Sequence, residues 1–387
     1  MPHLNALLAG QRANPMYRIG ALVHGRDDIL HLEFGEPDFP TPPHIVEAGM
    51  RSLRDERQGY GPGAGIAELR AALAARVRRV NHLDVSPERI VVAAGGTGAL
   101  MAALLTLCET GDEVLVSDPA WAGYDAMLAA AGTRMVRYPL RAEEGWLPGL
   151  DALEACVTPR SRVLLLNSPS NPGGAVFPRA LVERLVELAR RHDLWLLSDE
   201  CYDEFVYEGE HVSPATLAPE RVVTVGTFSK AYAMTGWRIG WAVAPAALAA
   251  PLGLAVAAAI NNLPLFVQRA AMAALAGPQD CVREMAAAYR ARRDLAAELL
   301  RAQGRLRAVP AGAFYLLAPL GEPGGPPVDS VAFAEALIAE RGIAVAPGAA
   351  FGPATEGYAR LSLASSPETL RAGITGLLDF ATTKWQG

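Results

Sequence analysis

The stretch "RVLLLNSPSNPGGAVFPRALVERLVELARRHDLWLLSDE" (residues 162–200) decides the fold of this chain. Its two apolar runs, 162–169 and 194–200, flank a segment, 178–192, in which apolar residues recur at helical spacing. Strands that are apolar on both faces and alternate with amphipathic helices are typical of a buried parallel sheet. The stretch therefore predicts a strand–helix–strand unit of an α/β domain.

Further apolar runs occur on both sides of this unit. Four further apolar runs are "RIVVAAG" (89–95), "EVLVSD" (113–118), "RVVTVGTFS" (221–229) and "RIGWAVAP" (238–245). The last two are too close for an ordinary crossover helix, so we expect one antiparallel strand in a mostly parallel sheet. After about residue 280, a long charged helix (281–304), short strands, a Gly/Pro loop (321–327) and two helices predict a smaller α+β domain.

Composition excludes several classes of function. The chain has 387 residues and a net charge of −6, which disfavours a nucleic-acid partner. No apolar run reaches the ~20 residues of a membrane span, and the N-terminal residues lack the pattern of a signal peptide. The four cysteines show no metal-ligand spacing, so we expect free thiols in the cytoplasm and no metal site.

One internal lysine stands out. Of the 35 lysine and arginine residues, only Lys230 and Lys384 are lysines, so the chain uses arginine almost everywhere else. An arginine can replace a lysine as a charge, but only a primary amine can lose its proton and attack a carbonyl group. The alternative interpretation, a surface salt bridge, does not explain why this internal position departs from arginine.

Polar residues follow several of the predicted strands. The glycine-rich turn in "VVAAGGTGAL" (91–100) leads from a strand into a helix, which directs backbone N–H groups and a positive dipole at an anion. Asp199 ends one strand, Asn171 follows another, and Thr227 lies near Lys230 at a third, although Asp199 and Asn171 could equally be cap or turn residues. A primary amine, a phosphate cradle and a carboxylate at one sheet edge together indicate pyridoxal phosphate chemistry.

At this point the chain resembles a known family, the class I and II aminotransferases with the fold-type I pyridoxal phosphate domain. The matching segments are "GEPDFPTP" (35–42), "GYGPGAGIAELRAAL" (59–73), "GGTGAL" (95–100), "SDPAWAGY" (117–124), "NSPSNPGG" (167–174), "SDECYDEFVY" (198–207), "SKAYAMTGWRIG" (229–240) and "ARLSLA" (359–364). The resemblance implies a large cofactor domain at 46–280 with a seven-stranded, mostly parallel sheet. It also implies a small α+β domain built from both chain ends, 1–45 and 281–387.

The resemblance implies a role for each residue around the cofactor ring. Lys230 would form the Schiff base and then move the proton between the substrate and the cofactor. Asp199 would pair with the pyridine nitrogen, and a carboxylate there keeps that nitrogen protonated. Asn171 and Tyr202 would hydrogen-bond the ring's phenolate oxygen. Trp121 would stack on the ring, although a core tryptophan is the alternative interpretation.

The resemblance also implies the sites for the phosphate and the substrate. Gly96, Thr97, Thr227 and Arg238 would hold the phosphate, and Tyr60 would reach the phosphate of a neighbouring subunit, which requires a homodimer with shared active sites. Arg360 would grip the α-carboxylate of the substrate as a bidentate fork, with help from the Gly35 N–H and beside Trp121 and Asn171. The chain departs from the family pattern at Gly173, where the family usually has threonine, and we expect this glycine to loosen the loop.

The implied reaction is reversible transamination between an L-amino acid and a 2-oxo acid. A β-lyase (C–S lyase) shares the same residues, so the motifs leave it open, as they do an aspartate-specific aminotransferase. A transcription regulator with an aminotransferase-like domain is disfavoured because only about 30 residues precede "FGEPDF" and the charge is acidic.

The residues expected around the substrate side chain predict neutral amino-group donors. An aspartate side chain would need a second cation, since a buried carboxylate without a partner is costly. In the branch of the family that carries a second arginine, that position falls near Ala257 here. Arg18 is an alternative cation, whereas Met16 and Tyr17 indicate an apolar lining. We therefore expect neutral donors, apolar or sulfur-containing, and an acceptor such as 2-oxoglutarate.

Overall fold

The structure, a computed structural model, describes residues 9–10, 13–322, 328–383 and 385. Its larger sheet has the strand order β2-β8-β7-β6-β5-β3-β4. These strands are β2 (Ile90–Ala93), β3 (Glu113–Asp118), β4 (Arg134–Pro139), β5 (Ser161–Asn167), β6 (Trp195–Asp199), β7 (Val222–Thr227) and β8 (Gly240–Val243). All neighbours pair in parallel except β8, which is antiparallel to both β2 and β7.

Helices cover both faces of the larger sheet. Side chains alternate along each strand, so Leu164 and Leu196 pack on one face and Leu165 and Leu197 on the other. The helices of this part of the chain are α2 (Pro43–Asp55), α3 (Ala67–Val80), α4 (Gly95–Leu107), α5 (Tyr124–Ala130), α6 (Leu150–Glu154), α7 (Arg179–Arg191), α8 (Ala246–Ile260) and α9 (Leu265–Ala276). Helices α3 and α7 contribute to the first core, and α4 and α8 contribute to the second.

A smaller sheet joins the two ends of the chain. Its order is β1-β10-β11-β9, in which β1 lies parallel to β10 and the other pairs are antiparallel. Its strands are β1 (Leu30–Leu32), β9 (Tyr315–Pro319), β10 (Ile343–Pro347) and β11 (Tyr358–Ser362). The surrounding helices are α1 (Pro15–Val23), α10 (Asp280–Ala302), α11 (Ser330–Arg341) and α12 (Pro367–Thr383), and they share a separate hydrophobic core with this sheet.

The predicted fold class is confirmed: the chain is α/β, with a mostly parallel seven-stranded sheet and one antiparallel strand. The sequence analysis did not predict β4, because this edge strand contains Arg134 and Arg137 and is not an apolar run. Most of the predicted Gly/Pro loop, 323–327, lies outside the described residues. Among the helices that the structure describes, none is long and apolar enough to cross a membrane.

The topology brings distant residues to one edge. Strands β3, β5, β6 and β7 are parallel neighbours, so their carboxyl ends meet at the same side of the sheet. Asn167 lies opposite Asp199 in the register of β5 and β6. The loops that follow these strands therefore face the smaller sheet across a shared cavity.

Candidate active site

A cavity of about 1430 Å³ lies at this edge of the larger sheet. It is bounded by the carboxyl ends of β5, β6 and β7, by the start of α4, and by β9 and β11 of the smaller sheet. The structure brings together at this cavity every site residue that the sequence singled out except Tyr60: Gly35, Gly96, Thr97, Trp121, Asn171, Asp199, Tyr202, Thr227, Lys230, Arg238 and Arg360.

The primary amine of Lys230 lines the cavity. Its Nζ donates a hydrogen bond of 2.7 Å to the Gly35 carbonyl oxygen. Burial lowers the pKa of Lys230 to about 8; the nearby Cys201 and Glu36 oppose this shift, and the positive charges of Arg360 and Arg238 add to it. An amine with this pKa loses its proton close to neutral pH, so it can act both as a nucleophile and as a proton carrier.

The carboxylate of Asp199 is buried at the end of β6. Its Oδ2 accepts a hydrogen bond of 2.6 Å from the Tyr124 hydroxyl, and its Oδ1 accepts one of 3.2 Å from the Cys201 N–H. Burial raises the pKa of Asp199, whereas these hydrogen bonds oppose the rise. Sequence reasoning missed Tyr124, because nothing in the local pattern "AGYDAM" distinguishes a buried hydrogen-bond donor from a core tyrosine.

An anion cradle lies where β2 runs into α4. The helix begins at Gly95, so the N–H groups of its first turn, including those of Gly96 and Thr97, have no partner within the helix. The guanidinium of Arg238 lies against this turn, since a Cβ on Gly95 would be only 2.7 Å from its Nη2. Thr227 Oγ1 donates to Ser229 Oγ over 2.9 Å beside the same turn. A helix start, a cation and hydroxyl groups at one place suit a phosphate dianion.

Arg360 is a buried cation on the opposite wall. It lies on β11 with only 5% of its surface exposed. Its guanidinium carbon lies 4.4 Å from the centre of the Tyr315 ring and 4.7 Å from that of the Phe351 ring, which hold its plane in place. Its Nη1 donates to Asn171 Oδ1 over 3.2 Å, and its Nη2 donates to the Glu33 carbonyl oxygen. Its Nε has no partner among the described residues.

Two aromatic residues border the space between these groups. Tyr202 shares a hydrogen bond of 2.8 Å with the Tyr315 hydroxyl, and burial keeps its pKa well above the ordinary value, so Tyr202 is a neutral phenol. The ring of Trp121 meets the Tyr124 ring edge-on, with centroids 5.2 Å apart. A flat ligand can lie against Trp121 only if that ring keeps its angle, and the contact with Tyr124 holds it there.

Comparison with known proteins agrees with this arrangement. Residues 27–377 match the family model described as aminotransferase class I and II. The chain belongs to this family. The predicted recognition and enzyme class are thereby confirmed, and the chain is an aminotransferase. Members of the family generally depend on pyridoxal phosphate.

The similar proteins carry different names. The chain is 42% identical to an arginine–pyruvate transaminase from Pseudomonas aeruginosa, over 92% of this chain and 90% of that protein. It is 43% identical to an aspartate/prephenate aminotransferase from Thermus thermophilus, over 90% and 89% of the two chains. A solved structure of the Thermus thermophilus aspartate aminotransferase with maleate superposes with a TM-score of 0.90, at 40% identity over 97% of this chain and 99% of that one.

Three further residues that the sequence analysis named do not line the cavity of the aminotransferase: Tyr60, Arg18 and Gly173. Tyr60 does not line the cavity of its own chain, and 91% of its surface is exposed. Arg18 forms an ion pair with Glu335 and does not line the cavity either. Gly173 does not loosen its loop, because it is closely packed: a Cβ at this position would lie 2.9 Å from the Trp146 side chain, so glycine here makes room for the tryptophan.

Sequence reasoning also missed one pair of charged residues on the cavity wall. Arg137, on β4, and Asp125, in the first turn of α5, both line the cavity of the aminotransferase and form an ion pair. The sequence offered no signal for this pair, because β4 itself was not recognised. The sequence analysis found Ala257 near the position of the second arginine and left Arg18 as an alternative cation, and Arg137 is a further cation on the cavity wall.

Proposed function

We propose that this aminotransferase uses pyridoxal phosphate bound covalently at Lys230 and transfers the amino group of a neutral L-amino acid to a 2-oxo acid. The observation that supports the proposal most directly is an amine with a pKa lowered to about 8 in the same cavity as a phosphate cradle, a buried carboxylate and a buried arginine. These groups fit pyridoxal phosphate, whose aldehyde, phosphate and ring nitrogen need an amine, an anion cradle and a carboxylate.

When bound, pyridoxal phosphate supplies an aldehyde that condenses with amines and a ring that accepts electrons from the α-carbon of an amino acid. The protein supplies the remaining chemistry. Asp199, which accepts hydrogen bonds from Tyr124 and the Cys201 N–H, would supply the carboxylate that keeps a ring nitrogen protonated. The phenol of Tyr202 and the amide of Asn171 would donate hydrogen bonds to the ring oxygen, and Trp121 would cover one face of the ring.

Lys230 and Arg360 would act on the substrate. Arg360 would exchange its present partners, Asn171 Oδ1 and the Glu33 carbonyl oxygen, for the two oxygens of an α-carboxylate. With the carboxylate held there, the neutral Nζ of Lys230 would accept the proton from the α-carbon and return it later as an ammonium group. A pKa near the working pH suits both halves of this transfer.

The side-chain wall favours neutral donors. Met16, Tyr17, Phe34 and Phe351 line the cavity, so an apolar or sulfur-containing side chain would meet apolar surface. Arg18, the cation that the sequence left open, is paired with Glu335 outside the cavity. The names of the relatives do not decide the donor, since proteins of similar identity are named for arginine and for aspartate.

We also propose a homodimer in the cytoplasm. Tyr60 belongs to the exposed loop that follows α2, and it is available to a second subunit because 91% of its surface is free. Its proposed role at the partner's phosphate would give each active site residues from two chains. The four cysteines are free thiols, which suits a reducing compartment.

Borohydride reduction tests the covalent site. The purified protein is reduced, digested and mapped by mass spectrometry, and we expect a pyridoxyl group on Lys230 and none on Lys384. A Lys230→Ala variant should retain cofactor through the phosphate cradle but lose transamination by several orders of magnitude, because nucleophile and proton carrier are both removed. A label on Lys384 instead, or on neither lysine, would refute the proposal.

A second measurement separates the two reactions that the motifs leave open. The protein is mixed with single amino acids, with and without a 2-oxo acid, and products are followed. Turnover that requires the 2-oxo acid supports transamination, whereas pyruvate and ammonia formed without it indicate a β-lyase. For the dimer, inactive Lys230→Ala and Tyr60→Phe variants are mixed, and recovered activity from hybrid dimers with one intact site supports shared active sites.

A further inference from the structure

The cavity contains one cation that the proposed chemistry does not use. Among the described residues that line it, Lys230 carries the reactive amine, Arg238 belongs to the phosphate cradle and Arg360 faces the α-carboxylate. Arg137 is the remaining arginine on the wall. Its place on the edge strand β4 is set by the pairing of Val116 with Arg137 in the register of β3 and β4.

Arg137 is connected through Phe351 to Arg360, the proposed partner of the α-carboxylate. Its Nη1 approaches the Phe351 carbonyl oxygen at 3.4 Å, and the ring of the same Phe351 covers Arg360 at 4.7 Å. The Ala120 N–H, next to Trp121, donates to the same carbonyl oxygen over 2.9 Å. Arg137 and Arg360 thus contact the same residue, Phe351, and both line the cavity that would hold the substrate.

Asp125 forms an ion pair with this arginine, and Asp118 is a second carboxylate beside it, since a Cβ on Gly352 would lie 2.1 Å from Asp118 Oδ1 and 3.0 Å from Arg137 Nη1. Nη2 of Arg137 donates to both carboxylate oxygens of Asp125, at 3.1 and 3.0 Å. The pair is only partly covered, with 24% of the Arg137 side chain and 43% of the Asp125 side chain exposed. The other contacts of the guanidinium, from Nη1 to the Ser117 and Phe351 carbonyl oxygens, are long, at 3.5 and 3.4 Å. The Nη1 group of Arg137 is thus weakly hydrogen-bonded and lies near Asp118, whereas Nη2 is paired with Asp125.

We propose that Asp125 is a specificity-determining residue that pairs with Arg137 and thereby withholds a cation from dicarboxylate substrates. A distal carboxylate that approaches Arg137 must either displace Asp125 or lie against it, and both are unfavourable because like charges then meet in a partly desolvated cavity. A neutral side chain leaves the ion pair undisturbed. The inference rests on the proposed function and names the substrate class of the same site.

The same cavity serves both half-reactions, so the inference applies to the acceptor as well. A 2-oxo acid with one carboxylate, such as pyruvate, needs only Arg360. Its dicarboxylate analogue, 2-oxoglutarate, would bring a second charge to the Arg137–Asp125 pair. We therefore expect pyruvate to be the better acceptor, in contrast to the 2-oxoglutarate that the sequence alone suggested.

The test is an Asp125→Asn substitution, which keeps the shape of the side chain and removes its charge. Single-turnover rates are measured with aspartate and methionine, and the binding of maleate, a dicarboxylate, is measured by calorimetry without any turnover. In the unmodified protein aspartate should react at least tenfold more slowly than methionine. In Asp125→Asn the aspartate-to-methionine ratio should rise at least tenfold, about 1.4 kcal/mol in the barrier, and maleate should bind at least tenfold more tightly.

Two further variants keep the result specific. Asp280→Asn removes an equal charge from the exposed Arg283–Asp280 pair outside the cavity. It should leave the aspartate-to-methionine ratio and the affinity for maleate unchanged. An Asp125→Asn, Arg137→Gln double variant should lose the gain, since the released cation is gone.

Three results would overturn the inference: an unmodified protein that already prefers aspartate, no gain with aspartate in Asp125→Asn, or a gain that persists in the double variant. Failure of the proposed function is distinguishable from all three, because the protein would then transaminate no amino acid and carry no label on Lys230.

Discussion

The hydroxyl of Tyr124 donates a hydrogen bond to Asp199 Oδ2 over 2.6 Å, although 75 positions separate the two residues in the sequence. Tyr124 opens α5 and only 1% of its surface is exposed, so water cannot replace it as a donor. Burial raises the pKa of Asp199, and the Tyr124 hydrogen bond is one of the interactions that oppose this rise. The tyrosine therefore helps to keep Asp199 ionised.

Tyr124→Phe should weaken the site without unfolding the protein. Loss of the donor raises the pKa of Asp199 further, so a smaller fraction of the carboxylate is ionised, and its proposed pairing with the ring nitrogen of the cofactor is weakened. A charge-assisted hydrogen bond contributes about 1.5–3 kcal/mol, so we expect at least a tenfold loss of both cofactor affinity and turnover. Absorbance titration with pyridoxal phosphate measures the affinity.

The matched control is Tyr232→Phe, because the Tyr232 hydroxyl donates to Gln279 over 2.9 Å outside the cavity. It should leave the cofactor affinity unchanged. Equal losses in the two variants would show that Tyr124 acts only through packing.

The lowered pKa of Lys230 predicts a pH profile for its reactivity. Burial lowers this pKa to about 8, whereas an ordinary lysine has a pKa of about 10.4. In the cofactor-free protein, the rate of acetylation at Lys230 should therefore rise with a midpoint near pH 8, and Lys384 provides the second lysine for comparison. Mass spectrometry follows each lysine across the pH series.

A charge variant checks the sign of this shift. The carboxylate of Glu36 raises the pKa of Lys230, so Glu36→Gln should move the midpoint to lower pH. A midpoint for Lys230 that coincides with that of Lys384, or that moves upward in Glu36→Gln, would contradict the prediction.

The anion cradle depends on a close backbone contact at Gly240. A Cβ at this position would lie 2.5 Å from the Gly95 carbonyl carbon and 2.7 Å from the Gly96 nitrogen, both of which are backbone atoms. Gly240→Ala must therefore push the first turn of α4 away from β8, at a typical cost of about 1–3 kcal/mol. We expect a lower Tm and at least a tenfold weaker binding of pyridoxal phosphate, measured by thermal denaturation and absorbance titration.

Gly253→Ala is the control for this substitution. It lies within α8, where the nearest atom to an added Cβ is the Ala64 Cβ at 3.8 Å. Alanine is the better helix former, so Tm should stay constant or rise. If Gly240→Ala bound the cofactor as tightly as Gly253→Ala, the contact would have no role in the cradle.

The sequence predicted the parts of the site that one segment carries by itself. Lys230, Asp199 and the turn at Gly96 each follow an apolar run, and parallel strands deliver such residues to one edge. Contacts between distant segments were not predictable in this way. Tyr124 meets Asp199, and Arg137 meets Asp125, only because β4 and α5 fold beside the cavity. The same holds for Arg360, whose burial depends on two aromatic rings from other segments.

A buried polar network behind Asp199 is a further feature that no local pattern predicts. Glu200, next in the chain, is fully buried, and its carboxylate accepts hydrogen bonds from four residues. The donors and distances are Ser198 Oγ (2.8 Å), Ser213 Oγ (2.7 Å), Asn81 Nδ2 (2.8 Å) and His211 Nε2 (2.9 Å). Arg76 forms a bidentate pair with Asp203 beside it, at 2.6 and 2.8 Å.

The charges of this network raise the pKa of His211. Glu200 and Asp203 are buried carboxylates near this imidazole, whereas Arg76 is shared between Asp203 and Glu204. Burial by itself lowers the pKa of His211, and Arg76 also lowers it, but Glu200 and Asp203 raise it and the net direction is upward. A positive charge on His211 would therefore strengthen the network behind Asp199.

His211→Gln tests this charge, because glutamine retains a donor for Glu200 and loses the positive charge. A folded pKa raised above the unfolded value of about 6.5 means that the stabilisation is fully present below that value and is lost as pH rises through the folded pKa. The variant should therefore lose about 2 kcal/mol at pH 5.5, the scale of one hydrogen bond to a charged group, and much less at pH 9. Tm measured at the two pH values gives the comparison.

The control is His192→Gln, which removes a half-exposed pair with Glu154. It should destabilise the protein far less at both pH values, since such surface pairs contribute about 0–1 kcal/mol. Equal destabilisation by His211→Gln at pH 5.5 and pH 9 would contradict the prediction. The imidazole would then act as a neutral hydrogen-bond donor to Glu200.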